Sequence, residues 1–246
     1  MGFFSRKRLI RSGDDGDNLP QLEVSIMMES ACRRVEDTMT AIIDYGVGNL
    51  FSLCRSLEAI GQNPVVTGEP HELARADRLI LPGVGAFADA AEKLRQTGLD
   101  QVLRELAGQG KPLMGICLGM QLLFEKSYEF GEHPGLGLIP GSVRPIRDVI
   151  PRGFKIPHIG WNGLHFPAGK ETHSMFQSVQ PEECVYFVHS FYGTNCDEFV
   201  IATTEYGAEI TAAVARNNVV GCQFHPEKSG KVGLNILRAF CKMEVV

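Results

Sequence analysis

The feature that most constrains this chain is a corner. In KPLMGICLGMQLLF (residues 111–124) a short apolar run at 112–116 gives way to Met120, Leu123 and Phe124 at helical spacing, so Cys117 falls where a strand turns into a helix. Gly115 and Gly119 stand two positions to either side of it. Small residues there let the chain turn sharply enough to push the middle side chain into a cleft, the G-x-S-x-G pattern with cysteine in the place of serine. The start of a helix also favours a thiolate over a thiol, because unpaired N–H groups and the macrodipole stabilise negative charge. Free cysteine is equally at home in a core. The corner therefore makes Cys117 a candidate nucleophile that still needs a base.

The rest of the chain fits that corner into a regular rhythm. Residues 40–45 (TAIIDY) read as a strand, 49–61 as a helix with Asn49 as N-cap and Gly61 as stop, and 63–68 and 77–83 as two further strands. Residues 86–98 and 98–110 are helical material. Such alternation implies an α/β fold with a mainly parallel central sheet and helices on both faces. After Pro134 the texture becomes β-rich, with strand segments at 135–146, 157–166, 184–193, 199–207 and 210–226, the last containing a hairpin turn at RNN (216–218). Residues 229–243 read as a closing amphipathic helix. Before Met39 the composition is mixed charge with little apolar spacing, so residues 1–38 are expected to be a disordered extension and 39–246 the single domain.

Composition narrows the function. A net charge of −5 without a basic cluster beyond the first dozen residues argues against nucleic acid or an anionic membrane as partner. Seven scattered cysteines without C-x-x-C indicate neither a disulfide framework nor a zinc site, and point to a reducing cytosol. No metal or organic cofactor is expected. No apolar run reaches the length of a membrane span, and the N-terminus has no signal-peptide core.

The base must come from seven histidines. His71, His133, His165 and His173 sit in polar, loop-like surroundings, and His158 and His189 in strand segments suited to core or interface roles. His225 differs: in VVGCQFHPEKS it ends a strand pattern, with Glu227 two positions on. In extended chain, residues i and i+2 point the same way, so the carboxylate can hold the imidazole N–H.

PGVG (82–85), GICLGMQ (115–121), YFVHSFYG (186–193) and GCQFHPEKSG (221–230) together resemble the triad, or class I, glutamine amidotransferases. Within them, DYGVGN (44–49), PGVGAF (82–87), PHIGWN (157–162) and HPEKSG (225–230) are similar to the branch that serves as glutaminase subunit of imidazole glycerol phosphate synthases. The resemblance runs from about residue 39 to 243. It implies that Cys117 attacks the side-chain amide of L-glutamine, that His225 shuttles the proton and that Glu227 orients the imidazolium. The backbone of Leu118 and the loop carrying Val84 and Gly85 would form the oxyanion hole, the Val84 peptide turning over to complete it. Gln121, one helical turn after Cys117, would reach the substrate. The backbone of Ser190 and Phe191 would hold its carboxylate, and Glu129 its ammonium. The implied partner is a cyclase subunit with a (β/α)8 barrel, forming a heterodimer that makes imidazole glycerol phosphate and an aminoimidazole carboxamide ribotide in histidine biosynthesis. Trp161, flanked by glycine and asparagine in a loop, would join Tyr186 and Lys228 at the interface. A paralogue feeding ammonia to another sugar- or nucleotide-like acceptor would share this glutaminase half. A cysteine peptidase shares the Cys–His logic but not Gln121, and a non-catalytic module would not need the intact Cys117, His225 and Glu227.

Overall fold

A computed structural model describes residues 38–169 and 171–243. The expected disorder of the N-terminal extension thus concerns residues that, Thr38 apart, lie outside the described ones. The expected rhythm is present: β1 (Thr40–Ile43), α1 (Leu50–Ala59), β2 (Val65–Thr67), α2 (Pro70–Arg75), β3 (Arg78–Leu81), α3 (Phe87–Gln96), α4 (Leu99–Gly108), β4 (Leu113–Ile116) and α5 (Leu118–Leu122) follow in turn. Asn49 does cap α1, its side chain accepting from Ser52 N–H. Gly61 ends the element at φ 82, where a Cβ would be strained.

Seven strands form the central sheet in the order β11-β12-β13-β4-β3-β1-β2, where β11 is Val200–Glu205, β12 Glu209–Arg216 and β13 Val219–Cys222. From β13 to β2 every pairing is parallel, and β12 and β11 extend the sheet antiparallel. The strand sequences are apolar on both faces because both faces are covered. Ala41, Ile43, Leu79, Leu81 and Leu113 pack with Leu94, Leu99 and Leu103 of α3 and α4. Their alternates Ile42, Ile80, Met114 and Ile116 pack with Leu53 and Leu57 of α1 and with Ile236, Leu237 and Phe240 of α6 (Gly230–Phe240). The hairpin turn falls at Asn217 and Asn218, with Asn217 at φ 53.

The β-rich half departs from the sequence reading in three places. Phe124 does not continue the helix after Cys117: α5 is five residues long and Phe124 opens β5 (Phe124–Ser127). The carbonyls of Leu122, Leu123 and Phe124 are taken by the N–H groups of Leu136, Leu138, Ile139 and Gly137, so tertiary partners displace the helical ones. Residues 184–193 are two strands. β9 (Cys184–His189) pairs with β8 (His158–Gly163), while β10 (Phe191–Thr194) joins a second sheet of order β10-β7-β5-β6, with β7 Ile139–Pro145 and β6 His133–Pro134. Ser190 is the crossing point, its carbonyl accepting from Ile146 N–H. Trp161 lies in β8, paired with Tyr186 across the ladder, rather than in a loop, because the whole 158–163 segment finds β9 as a partner. The sequence pattern also gave no signal for α2, a six-residue helix with Pro70 at its start.

Candidate active site

Three parallel strands, β3, β4 and β13, end at one edge, and the loops that leave them carry the candidate residues. Crevices outside the carboxyl ends of parallel strands are where such sheets bind ligands. Cys117 sits directly after β4 at φ 55 and ψ −111, a left-handed conformation unusual for a side chain with a Cβ. The flanking glycines are required sterically. A Cβ on Gly115 would stand 2.6 Å from the Gly119 carbonyl, one on Gly119 would collide with the Leu81 carbonyl, and one on Gly83 would stand 2.8 Å from Gly119 N. The elbow and the 82–85 loop are thus packed backbone against backbone. Tyr45 fixes that loop from below, its hydroxyl donating to the Pro82 carbonyl at 2.9 Å. Leu118 opens α5, so its N–H has no acceptor within the helix. Val84 is exposed and Gly85 stands at φ 95 beside it.

His225 is buried and its Nδ1 lies 2.8 Å from Glu227 Oε1. The pair is made, but not by extended backbone: Pro226–Lys228 is a single 3-10 turn, begun by the proline's fixed φ, which curls Glu227 back under the ring. Burial by itself pushes the imidazole down. Hydrogen bonds to Cys117 and Glu227 and the negative charge of both outweigh it and hold His225 at about 9. With Nδ1 occupied by the carboxylate, the other ring nitrogen is the one free to exchange a proton with the sulfur.

Cys117 and His225 open onto a cleft of about 640 Å³. Of the residues expected there, Val84, Gly85, Leu118, Gln121, Glu129, Ser190 and Phe191 line it, and Glu227 stands behind His225; Lys228, expected at the partner interface, lines the cleft as well. Two of these are partly committed to the protein. Glu129 Oε2 accepts the Phe87 N–H at the start of α3 at 2.7 Å, and burial raises its carboxyl above the usual range. The Gln121 amide nitrogen donates to Phe191 O and Gln223 Oε1. Trp161 and Tyr186 do not line the cleft. They meet edge to face on the β8–β9 hairpin, with Lys228 Nζ 5.8 Å from the Tyr186 ring.

His189, which also lines the cleft, is no rival base. Burial drives it down to about 3, and its nitrogens are engaged by the Phe191 carbonyl and His158. His158 in turn stacks on Tyr206 and Phe187 and bonds to Asn162. Sequence reading missed Gln223, whose side chain is fully buried beside the sulfur; a lone amide inside the run VVGCQF was the available signal. Among the described residues, no group of three or more His, Cys, Asp or Glu could hold a metal ion, and no helix is long and apolar enough to cross a membrane.

The family model for class-I glutamine amidotransferases matches residues 41–243. The chain belongs to the class-I glutamine amidotransferases. The similarity is specific within that family. The imidazole glycerol phosphate synthase subunit HisH of Carboxydothermus hydrogenoformans is 48% identical over 205 residues, which cover 83% of this chain and all of that protein. The HisH subunit of Synechocystis sp. is 48% identical over 204 residues, covering 82% of this chain and 95% of that one. Solved structures show the same fold at greater distance. PurLQS from Thermotoga maritima superposes with a TM-score of 0.65 at 21% identity, covering 82% of this chain and 97% of that one. The relatives that this glutamine amidotransferase matches thus agree with the narrower resemblance read from DYGVGN, PGVGAF, PHIGWN and HPEKSG.

Proposed function

We propose that the chain is the glutaminase subunit of an imidazole glycerol phosphate synthase, working through a thioester on Cys117. The observation that carries the reading is a buried imidazole, His225, held by Glu227 on one ring nitrogen and lining the same cleft as the Cys117 elbow. The thiol proton passes to His225, and the sulfur forms a bond to the side-chain amide carbon of glutamine. Charge developing on the carbonyl oxygen is met by the Leu118 N–H and by an N–H of the Val84–Gly85 loop once the Val84 peptide has turned. His225 returns the proton to the nitrogen, the C–N bond breaks, and ammonia leaves. Water then gives a proton to His225 and attacks the thioester, and glutamate departs as the C–S bond breaks. Gln121, Glu129 and the backbone of Ser190 and Phe191 hold the substrate.

Ammonia is mostly protonated in neutral water and so must be delivered under cover. The reading has it pass to a (β/α)8-barrel cyclase subunit in a heterodimer, which completes imidazole glycerol phosphate and the aminoimidazole carboxamide ribotide. An exposed apolar strip supports this. Ile159 and Trp161 share the outer face of β8 at 57% and 56% exposure, close to Tyr186. Six free cysteines among the described residues fit a reducing cytosol. Residues 1–38 are read as lying outside the amidotransferase domain, since 83% of this chain spans the whole of a HisH relative.

The test is Cys117→Ala in complex with the cyclase. The expected outcome is no product from glutamine, but product from ammonium salt at alkaline pH, where neutral ammonia is available. Glutamine-dependent synthesis by the variant would overturn the mechanism. Wild-type chain alone should hydrolyse glutamine slowly and be accelerated ~10²–10³-fold by liganded cyclase, the usual worth of one oxyanion donor.

A further inference from the structure

Among the described residues, one side chain outside the triad donates a hydrogen bond to the Cys117 sulfur. Gln223 Nε2 lies 3.7 Å from Cys117 Sγ, Gln223 Oε1 accepts from Gln121 Nε2 at 2.9 Å, and the same Gln121 nitrogen donates to the Phe191 carbonyl at 3.2 Å. Both glutamines are buried. The Gln223 backbone is pinned as well, its N–H on the Ala212 carbonyl at 2.8 Å.

We propose that Gln223 is part of the catalytic machinery: an amide whose N–H is aimed at the reacting sulfur by a relay that begins at the Phe191 carbonyl. The polarity of the relay follows from counting donors. A backbone carbonyl can only accept, so the end of Gln121 that faces it must be the NH2. That group's second N–H meets Gln223, so the facing atom of Gln223 must be its oxygen. The remaining end of Gln223, the donor end, is then the one left against Cys117. Turning either amide over would oppose two acceptors or two donors between two buried side chains. Gln223 thus presents a hydrogen that a thiolate accepts, on the opposite errand from His225, which exchanges the proton. It steadies the sulfur before attack and again when the thioester is released.

The relay also joins the nucleophile to the substrate pocket. Phe191 contributes its carbonyl to the relay and, in the proposed function, its N–H to the substrate carboxylate. A shift of that segment on binding would move the sulfur's donor with it.

The inference rests on Cys117 being the nucleophile, and the experiment separates the two. Full-length chain is alkylated with iodoacetamide across a pH range, and the Cys117 and Cys184 peptides are quantified separately by mass spectrometry. In the wild type, Cys117 should react faster at neutral pH than exposed Cys184; if it does not, the nucleophile reading fails and takes the relay with it. Gln223→Glu keeps the shape and still accepts from Gln121, but exchanges the donor to sulfur for a carboxylate. The neutral Gln223→Met is therefore the variant that separates lost donation from added repulsion. The Gln223→Glu alkylation profile for Cys117 should move toward alkaline pH, the neutral rate falling about tenfold or more, as expected for losing a hydrogen bond to a charged group. Gln223→Met, which removes both donor and acceptor, should move it in the same direction. Glutaminase kcat with cyclase present should fall in parallel, with KM for glutamine changed less. A Gln223→Glu or Gln223→Met profile that coincides with wild type would show Gln223 to be packing alone and overturn the inference.

Discussion

Replacing Glu227 by glutamine changes one charge and almost no volume, and the structure says why it should be costly. Glu227 Oε1 receives the His225 Nδ1–H at 2.8 Å, and Oε2 is buried with no hydrogen-bond partner among the described residues. A glutamine can keep its oxygen on Nδ1 only by placing its NH2 where Oε2 was, a buried donor without an acceptor, at a cost of about 1–3 kcal/mol. Turned over, it donates to Nδ1 instead. That forces the hydrogen onto the other ring nitrogen, which can then no longer take the thiol proton. A population held in the wrong tautomer predicts a kcat loss of ~10³–10⁴, the scale seen for the equivalent change in serine triads. Stability supplies an independent readout. His225 is raised from 6.5 to about 9, which at 1.36 kcal/mol per unit is on the order of 3 kcal/mol, shared between Cys117 and Glu227. A group raised on folding contributes fully below its unfolded value and loses that contribution as pH passes its folded value. The melting temperature of wild type should therefore exceed that of Glu227→Gln most near pH 6.5, and the gap should narrow as pH approaches 9. Glutaminase assays with cyclase present, and thermal melts at several pH values, measure both. A variant within tenfold of wild-type kcat, or a gap that widens with pH, would refute the reasoning.

Two further outcomes follow from the same geometry. Gly119→Ala should lower melting temperature and abolish most activity together, because its Cβ collides with the Leu81 carbonyl and overpacking of this kind costs about 1–3 kcal/mol while pushing the 82–85 loop off the elbow; unchanged melting and activity would count against the backbone-to-backbone packing. Trp161→Ala should leave melting nearly unchanged, since the ring is 56% exposed, yet weaken cyclase binding by about 2 kcal/mol if the ring is an anchor; titration calorimetry beside the melts decides between an anchor and an ordinary strand residue.

The sequence by itself determined the central sheet and the candidate nucleophile and base. Strands covered on both faces read as apolar runs, and helices packed on one face read at helical spacing, so β1, β3, β4, α1 and α6 were visible before any contact was known. Cys117 and the His225–Glu227 pair were legible for a related reason: their geometry is set by neighbours within two residues, through glycines and a proline. What only the tertiary structure decided depends on partners far along the chain. Phe124 leaves the helix because Leu136 to Ile139 take its acceptors, and the strand around Tyr186 breaks at Ser190 because two different sheets claim its halves. Gln223 belongs to the same class. Its donor reaches the sulfur because Gln121, 102 positions earlier, and the Phe191 carbonyl orient it, and hydrogen-bond polarity relayed across three segments leaves no local pattern in the sequence.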